Sequence, residues 1–134
     1  MKSVLLDTDV FSYFFKRDTR AALYAPDVSG AQLCLSFQSV AELRAWALTR
    51  NWGNTRRQSL EAAILRCAVL PYDDDLSRHW GEITAHRLAH GFPIDCGDAW
   101  IAATALRHSI PLLTHNGRDF ANIPNLVVIT HQSP

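Results

Sequence analysis

A short apolar run, Val4-Leu5-Leu6, stops at two carboxylates one residue apart, Asp7 and Asp9, and a helical pattern begins at once with Val10 and Phe11. A strand that passes directly into a helix is the first half of a βα unit. Repeated units of that kind build a parallel sheet covered by helices. Ligands of such sheets gather at the carboxyl ends of the strands. A strand that stops at Asp7 therefore sets that acid on the rim where chemistry takes place.

The rest of the chain keeps the same alternation. Ser3 to Leu6 reads as a buried strand and Asp9 to Phe15 as a helix, with Val10, Tyr13 and Phe14 at helical spacing. Arg20 to Tyr24 reads as a short helix and Pro26 to Gly30 as a turn. Gln32 to Ser36 is a strand. Ser36 or Ser39 caps the next helix, whose inward face is Val40, Leu43, Ala47 and Leu48. Thr55 to Arg66 is an amphipathic helix with Leu60, Ala63 and Ile64 inward. Cys67 to Leu70 is a strand stopped by Pro71. Asp73 or Asp74 then caps a long helix through Leu88, striped by Leu76, Trp80, Ile83 and Leu88.

Asp95 or Gly97 opens a helix from Asp98 to His108 that is apolar nearly all round, so it packs deep. Pro111 to Thr114 is a strand, Asn116 to Phe120 a short turn or helix, Leu126 to Ile129 a last strand, and His131 to Pro134 a tail. No repeat or linker interrupts this order. The expectation is one domain over residues 1–134, an α/β fold with a central, mainly parallel sheet and helices on both faces.

Composition narrows the function. The formal net charge is zero, so there is no overall basic footprint for nucleic acid. Of the 13 basic residues only Lys2 and Lys16 are lysines, and Arg suits phosphate forks better. No apolar run approaches a membrane span, and Met1-Lys2-Ser3 shows no leader pattern. Cys34, Cys67 and Cys96 lack metal-type spacing and read as free, buried thiols of a reducing cytosol. His86 and His90 are four apart, as zinc ligands can be, but no third ligand accompanies them, so a solvated face is the better reading. Trp80 and Trp100 fit apolar stripes. Trp46 and Trp52 suit a dimer or partner surface.

The acids carry the chemistry. Asp7 and Asp9, Glu42, Asp98 and Asp119 each follow a strand or start a helix. Singly, each has an ordinary role, since a carboxylate near a helix N-terminus gains ~0.3–1 kcal/mol. Gathered in one small domain they would repel one another unless a cation sat between them. All-oxygen donors suit Mg²⁺ or Mn²⁺. A carboxylate-held ion of that kind is well suited to hydrolysing phosphodiesters with an activated water. No Gly-x-Ser-x-Gly and no Cys/His pairing offers a covalent route. Arg44, Arg56 and Arg57, with Arg50, suggest a basic edge near Glu42 for phosphate contacts.

Four stretches resemble the motifs of PIN-domain ribonucleases, and most closely those of VapC-type toxins of toxin–antitoxin pairs. They are Leu5-Leu6-Asp7-Thr8-Asp9-Val10-Phe11, Ser39-Val40-Ala41-Glu42-Leu43, Asp98-Ala99-Trp100-Ile101-Ala102-Ala103-Thr104-Ala105, and Leu112-Leu113-Thr114-His115-Asn116-Gly117-Arg118-Asp119-Phe120. The resemblance spans almost the whole chain. It implies a three-layer α/β/α sandwich and a Mg²⁺- or Mn²⁺-dependent endoribonuclease. Asp7, Glu42, Asp98 and Asp119 match the catalytic acids, with Asp7, Asp98 and Asp119 as metal ligands. Asp9, Thr114 and Asn116 match supporting positions. Asp9 stands where relatives usually carry Asn, and Asp95 is an extra acid, read here as a cap.

The resemblance also implies a cognate antitoxin that covers the acidic pocket, a homodimer, and a structured RNA substrate such as tRNA or rRNA, cut in the cytoplasm. Two rivals remain. Asp7-Thr8-Asp9 also resembles the opening motif of haloacid-dehalogenase-type phosphatases, which require a later Lys absent here. A metal-free RNA- or protein-binding domain is the non-enzymatic reading.

Overall fold

β1 (Ser3–Leu6) lies at the centre of the sheet and the rest of the fold is built outward from it. Its neighbours are β2 (Gln32–Ser36) and β4 (Leu112–Leu113); β3 (Ala68–Leu70) pairs with β2, and β5 (Val128–Ile129) with β4. The order is β3-β2-β1-β4-β5 and every pair is parallel. This computed structural model describes residues 2–132; Met1 and the end of the expected tail, Ser133-Pro134, lie outside the described residues.

Side-chain alternation along the strands makes two cores. Val4, Leu6, Leu35 and Leu113 face one side, where they meet α1 (Thr8–Lys16), α2 (Ala21–Val28), α3 (Phe37–Thr49) and α4 (Asn54–Leu65). Leu5, Cys34 and Leu112 face the other side, against α5 (Asp74–Ala89) and α6 (Cys96–His108). Burial on both faces explains the unbroken apolar runs of the central strands. The result is a three-layer α/β/α sandwich, with the helices on both faces that the alternation predicts and the layering that the resemblance implies. No helix among the described residues is long and apolar enough to cross a membrane.

The chain leaves β1 toward β2 and β3, then returns to the other side for β4 and β5. A reversal of this kind opens a crevice at the carboxyl ends of the two diverging strands, here β1 and β4. Asp7 stands at that point.

Several elements differ from the sequence reading. α2 runs through Pro26 to Val28 rather than ending at Tyr24. Tyr24, fully buried, ties the helix down, and Pro26 lies on the exposed side, so the helix end it weakens is not buried. On α3, Leu48 is exposed while Val40, Leu43 and Ala47 are buried. On α5 the inward stripe is Leu76, Trp80, Ile83 and Arg87, at steps of 4, 3 and 4; Leu88 falls outside it and is 66% exposed. Cys34 is buried, but Cys67 is half-buried and Cys96 exposed, so the three thiols are not all core filler.

Candidate active site

Each acid is positioned by its own element. Asp7 is the N-cap of α1: one carboxylate oxygen accepts the Thr8 N–H at 2.8 Å, and the other accepts the Thr114 hydroxyl at 2.7 Å. The site therefore joins the ends of β1 and β4, the two strands that flank the crevice. Asp9 belongs to the same wall. One of its oxygens accepts the Val10 N–H at 2.6 Å; the other accepts the His115 N–H at 3.2 Å and the Asn116 amide at 2.8 Å. The Asn116 N–H in turn donates to the Thr114 hydroxyl oxygen at 3.1 Å. Asp9, Thr114 and Asn116 thus form a clasp that fixes the loop after β4.

Glu42 reaches the site from α3. Its Oε2 accepts the Thr8 hydroxyl at 2.5 Å and its Oε1 accepts the Gln38 amide at 3.1 Å. The proton directions can be assigned. Thr8 has one proton, and a carboxylate only accepts, so the 2.8 Å bond between Thr8 and Ser39 uses the Ser39 proton. The 3.3 Å bond between Ser39 and Ser36 then uses that of Ser36. Three buried hydroxyls, Ser36, Ser39 and Thr8, point one way, toward Glu42. Sequence reasoning saw Ser36 and Ser39 only as caps; Ser36 does cap α3, accepting the Ser39 N–H at 3.0 Å.

Asp98 sits in the first turn of α6, which Asp95 caps through the Gly97 N–H. A β-carbon at Gly97 would stand 2.9 Å from the Gln38 amide and 3.2 Å from Glu42. Glycine leaves room there for those two side chains of α3, and Asp98, one residue on, lies within reach of the Glu42 charge. Asp119 lies in a 3-10 turn (Gly117–Phe120) that follows β4.

The acids feel one another. Burial, and then the charge of Asp9, raises the Asp7 carboxyl to about 8, against the pull of its Thr114 and Thr8 hydrogen bonds. Burial raises Asp98 to about 6, helped by Asp119, Asp95, Glu42 and Asp9 in that order. Burial also raises Asp9. No ion pair among the described residues reaches any of these acids. Such an unneutralised set of hard oxygen donors matches the chemistry of Mg²⁺ or Mn²⁺. Among the described residues no three carboxylate, imidazole or thiol groups stand close enough to share one ion as they are.

Arg87 gives no sign of its role in the sequence, where a cation stands beside the apolar stripe of α5 without a visible partner. It is 7% exposed. Its guanidinium donates to the carbonyls of Phe92 at 2.7 Å and of Asp119 and Ala121 at 3.0 Å each, which ties the Asp119 turn to the end of α5.

The arginines singled out for phosphate contact lie elsewhere. Arg44 is turned to Glu61 at 2.8 and 3.2 Å, and Arg57 donates to Asn54 at 2.7 Å. Arg56 lies 4.0 Å over Trp52, which stacks on Phe15 near the far end of α1 from Thr8. Lys16 is also there, 5.5 Å over Trp46, and Lys2 precedes β1 at the opposite end of that strand from Asp7, so neither lysine serves the acids as a phosphatase of the rival type would require. His86 and His90 stack at 4.2 Å, and the His90 ring bonds the His86 carbonyl at 2.7 Å, an arrangement within one helix rather than a shared ligand set.

Comparison with known proteins agrees with this geometry. The PIN domain family model matches residues 4–126. The chain is 30% identical over 133 residues to ribonuclease VapC4 of Mycobacterium tuberculosis, covering 97% of this chain and 98% of that protein. It is 32% identical over 127 residues to ribonuclease VapC1 of Haemophilus influenzae, covering 91% and 92%. Among solved structures, VapBC-1 from nontypeable Haemophilus influenzae matches with a TM-score of 0.78 at 30% identity, over 95% of this chain and 96% of that one. DNA-bound VapBC from Salmonella typhimurium gives 0.78 at 26% identity, over 97% and 98%. The chain is a member of the PIN domain family, and its relatives there include VapC ribonucleases.

Proposed function

We propose that this chain is the toxin of a toxin–antitoxin pair, an endoribonuclease that hydrolyses structured RNA, with tRNA and rRNA as the substrate class, in the cytoplasm. What supports this reading is that Asp98 feels the charges of Asp119 and Glu42 and acts in turn on Asp7, at the switch point of a VapC-type fold. Asp7, Asp98 and Asp119 would hold Mg²⁺ or Mn²⁺, with Glu42 beside them. A bound ion of this kind would lower the pKa of a water and stabilise charge on the phosphate.

The chain's own residues do the positioning. Thr8 and Thr114 fix the two oxygens of Asp7. The hydroxyl series from Ser36 keeps Glu42 aimed as a proton acceptor. The clasp of Asp9 and Asn116 sets the loop that carries Asp119. Water attacks phosphorus and gives a proton to Glu42, the bond to the 3′ oxygen breaks, and that oxygen takes a proton back. The products carry 5′-phosphate and 3′-hydroxyl ends.

The antitoxin also has a surface suited to it. A cleft of about 610 Å³ between α1 and α4 has Phe11, Phe14 and Leu33 on its wall and Lys16, Arg56 and Arg66 at its edge. An acidic amphipathic segment complements both parts. Trp46 and Trp52, flanked by cations, suit the partner or a second copy in a homodimer.

The test is cleavage of purified RNA with Mg²⁺ and with EDTA, comparing wild type with Asp98→Ala and mapping the new ends. Cleavage by wild type alone, only with the ion, and with 5′-phosphate ends is expected. Equal cleavage by both proteins, or in EDTA, would refute the mechanism. Thr8→Val tests the support of Glu42. The shape is kept and one hydroxyl is lost, so folding should persist while cleavage falls roughly 10–100-fold. Thr8→Ser should restore most of it, and a Thr8→Val protein of full activity would show that Glu42 needs no such support.

A further inference from the structure

The Tyr24 hydroxyl occupies a place where a sheet hydrogen bond belongs. The β4–β5 ladder runs through Leu112 N–H to the Val127 carbonyl and Thr114 N–H to the Ile129 carbonyl, at 2.9 and 3.1 Å. In a parallel pair the next rung is His131 N–H to the Thr114 carbonyl. Instead, the Tyr24 oxygen stands 3.1 Å from each of those groups. Tyr24 is fully buried, and its oxygen is also 2.8 Å from Nδ1 of His115. The Thr114 carbonyl receives no other donor among the described residues.

This accounting assigns a tautomer. A phenol has one proton to give. His131 N–H already donates to the oxygen, so the proton that completes the rung goes to the Thr114 carbonyl. If it went to His115 instead, a buried backbone acceptor would be left bare. His115 must therefore carry its proton on Nδ1 and donate it to Tyr24. In the neutral ring, Nε2 is then a free lone pair with no partner among the described residues. The ring is half-buried, packed edge-on against Tyr13 at 5.5 Å and Tyr24 at 5.8 Å. Its own backbone N–H is bonded to the Asp9 carboxylate, so it stands on the wall of the acid site.

The geometry points to His115 as a substrate contact that reads ribose: its Nε2 accepts a hydrogen bond from the 2′-hydroxyl of a nucleotide next to the scissile phosphate. A bare acceptor does not suit a phosphate oxygen, which also only accepts. Of the groups that recur along an RNA backbone, the 2′-hydroxyl is the one that donates, and DNA lacks it. The inference rests on the ribonuclease reading and assigns it a specificity residue.

The experiment uses a short RNA that the wild type cleaves, and copies with a single 2′-deoxy replacement at each position flanking the cut. Each is assayed at pH 8 with wild type, His115→Ala and His115→Phe. The Phe variant keeps a ring between Tyr13 and Tyr24 and loses both nitrogens. At one position the wild type should lose roughly tenfold or more in kcat/KM on deoxy replacement, as a site built to bond a hydroxyl does. Both variants should cut the ribo and deoxy forms equally there, while keeping the wild-type penalty at every other position. An undiminished deoxy penalty in both variants, or no penalty in wild type, would overturn the assignment with the ribonuclease reading intact. A wild type that cleaves no RNA would fail that reading and this one with it.

Discussion

Asp7→Asn should abolish cleavage and at the same time make the metal-free protein more stable. The loss of activity is expected at roughly 10³-fold or more, since the charge that would hold the ion is gone. The gain in stability follows from burial. Asp7 is 7% exposed, and its carboxyl is raised to about 8, first by burial, then by the charge of Asp9. In the unfolded chain the same group titrates near its ordinary value, about 3.9. Below about pH 4 both states hold the proton and the fold loses nothing. As pH rises from 4 toward 8, the unfolded carboxyl ionises freely while the folded one resists, so stability falls until about pH 8.

Asp98, raised to about 6, adds to the fall between about pH 4 and 6. Thermal melts of wild type in EDTA should therefore show a lower Tm at pH 8 than at pH 5. Asp7→Asn should melt higher than wild type at pH 8, by an amount on the order of 1–3 kcal/mol. It should also show a flatter pH dependence. Mg²⁺ should raise the wild-type Tm at pH 8 and leave that of the variant nearly unchanged. A variant less stable than wild type in EDTA at pH 8 would mean that Asp7 is not held against its own charge.

The elements near β1 were legible because local and tertiary signals agree there. Val4-Leu5-Leu6 is buried on both faces, and Asp7 both ends the strand and caps the helix. The acids were legible for the same reason, since each occupies a strand end or a helix start. What escaped depends on partners remote in sequence. Pro26 reads as a breaker until Tyr24 is seen tied to Thr114 and His131. Gly97 looks only like a helix opener until the Gln38 and Glu42 side chains of α3 are found against it. Thr8 and Ser39 look like ordinary helix-start residues, and only the fold brings their hydroxyls together across 31 positions. The strands β4 and β5 are legible in place but not in extent, Pro111 to Thr114 and Leu126 to Ile129 shrinking to two residues each, because so short a strand shows no period.

Arg87 shows how such a remote partner is felt in energy. Replacing Arg87 by Ala should cost roughly 3 kcal/mol or more, whereas Leu88→Ala, one position along, should cost within about 0.5 kcal/mol. An apolar-stripe reading gives the opposite order. Arg87 is inward and donates three hydrogen bonds to carbonyls on two different segments, at Phe92 and at Asp119 and Ala121. Leu88 is 66% exposed and leaves little apolar surface to lose. Lys is no substitute, because a single ammonium lacks the flat fork that spans both segments. Arg87→Lys should thus recover only part of the stability. The Asp119 turn hangs from this side chain, so cleavage should fall in both variants even at temperatures where they remain folded. Amide exchange within Gly117–Phe120 should quicken ahead of the rest of the molecule. If Arg87→Ala melts with wild type while Leu88→Ala does not, the inward face of α5 is the one centred on Leu88, and the support assigned here to Asp119 is absent.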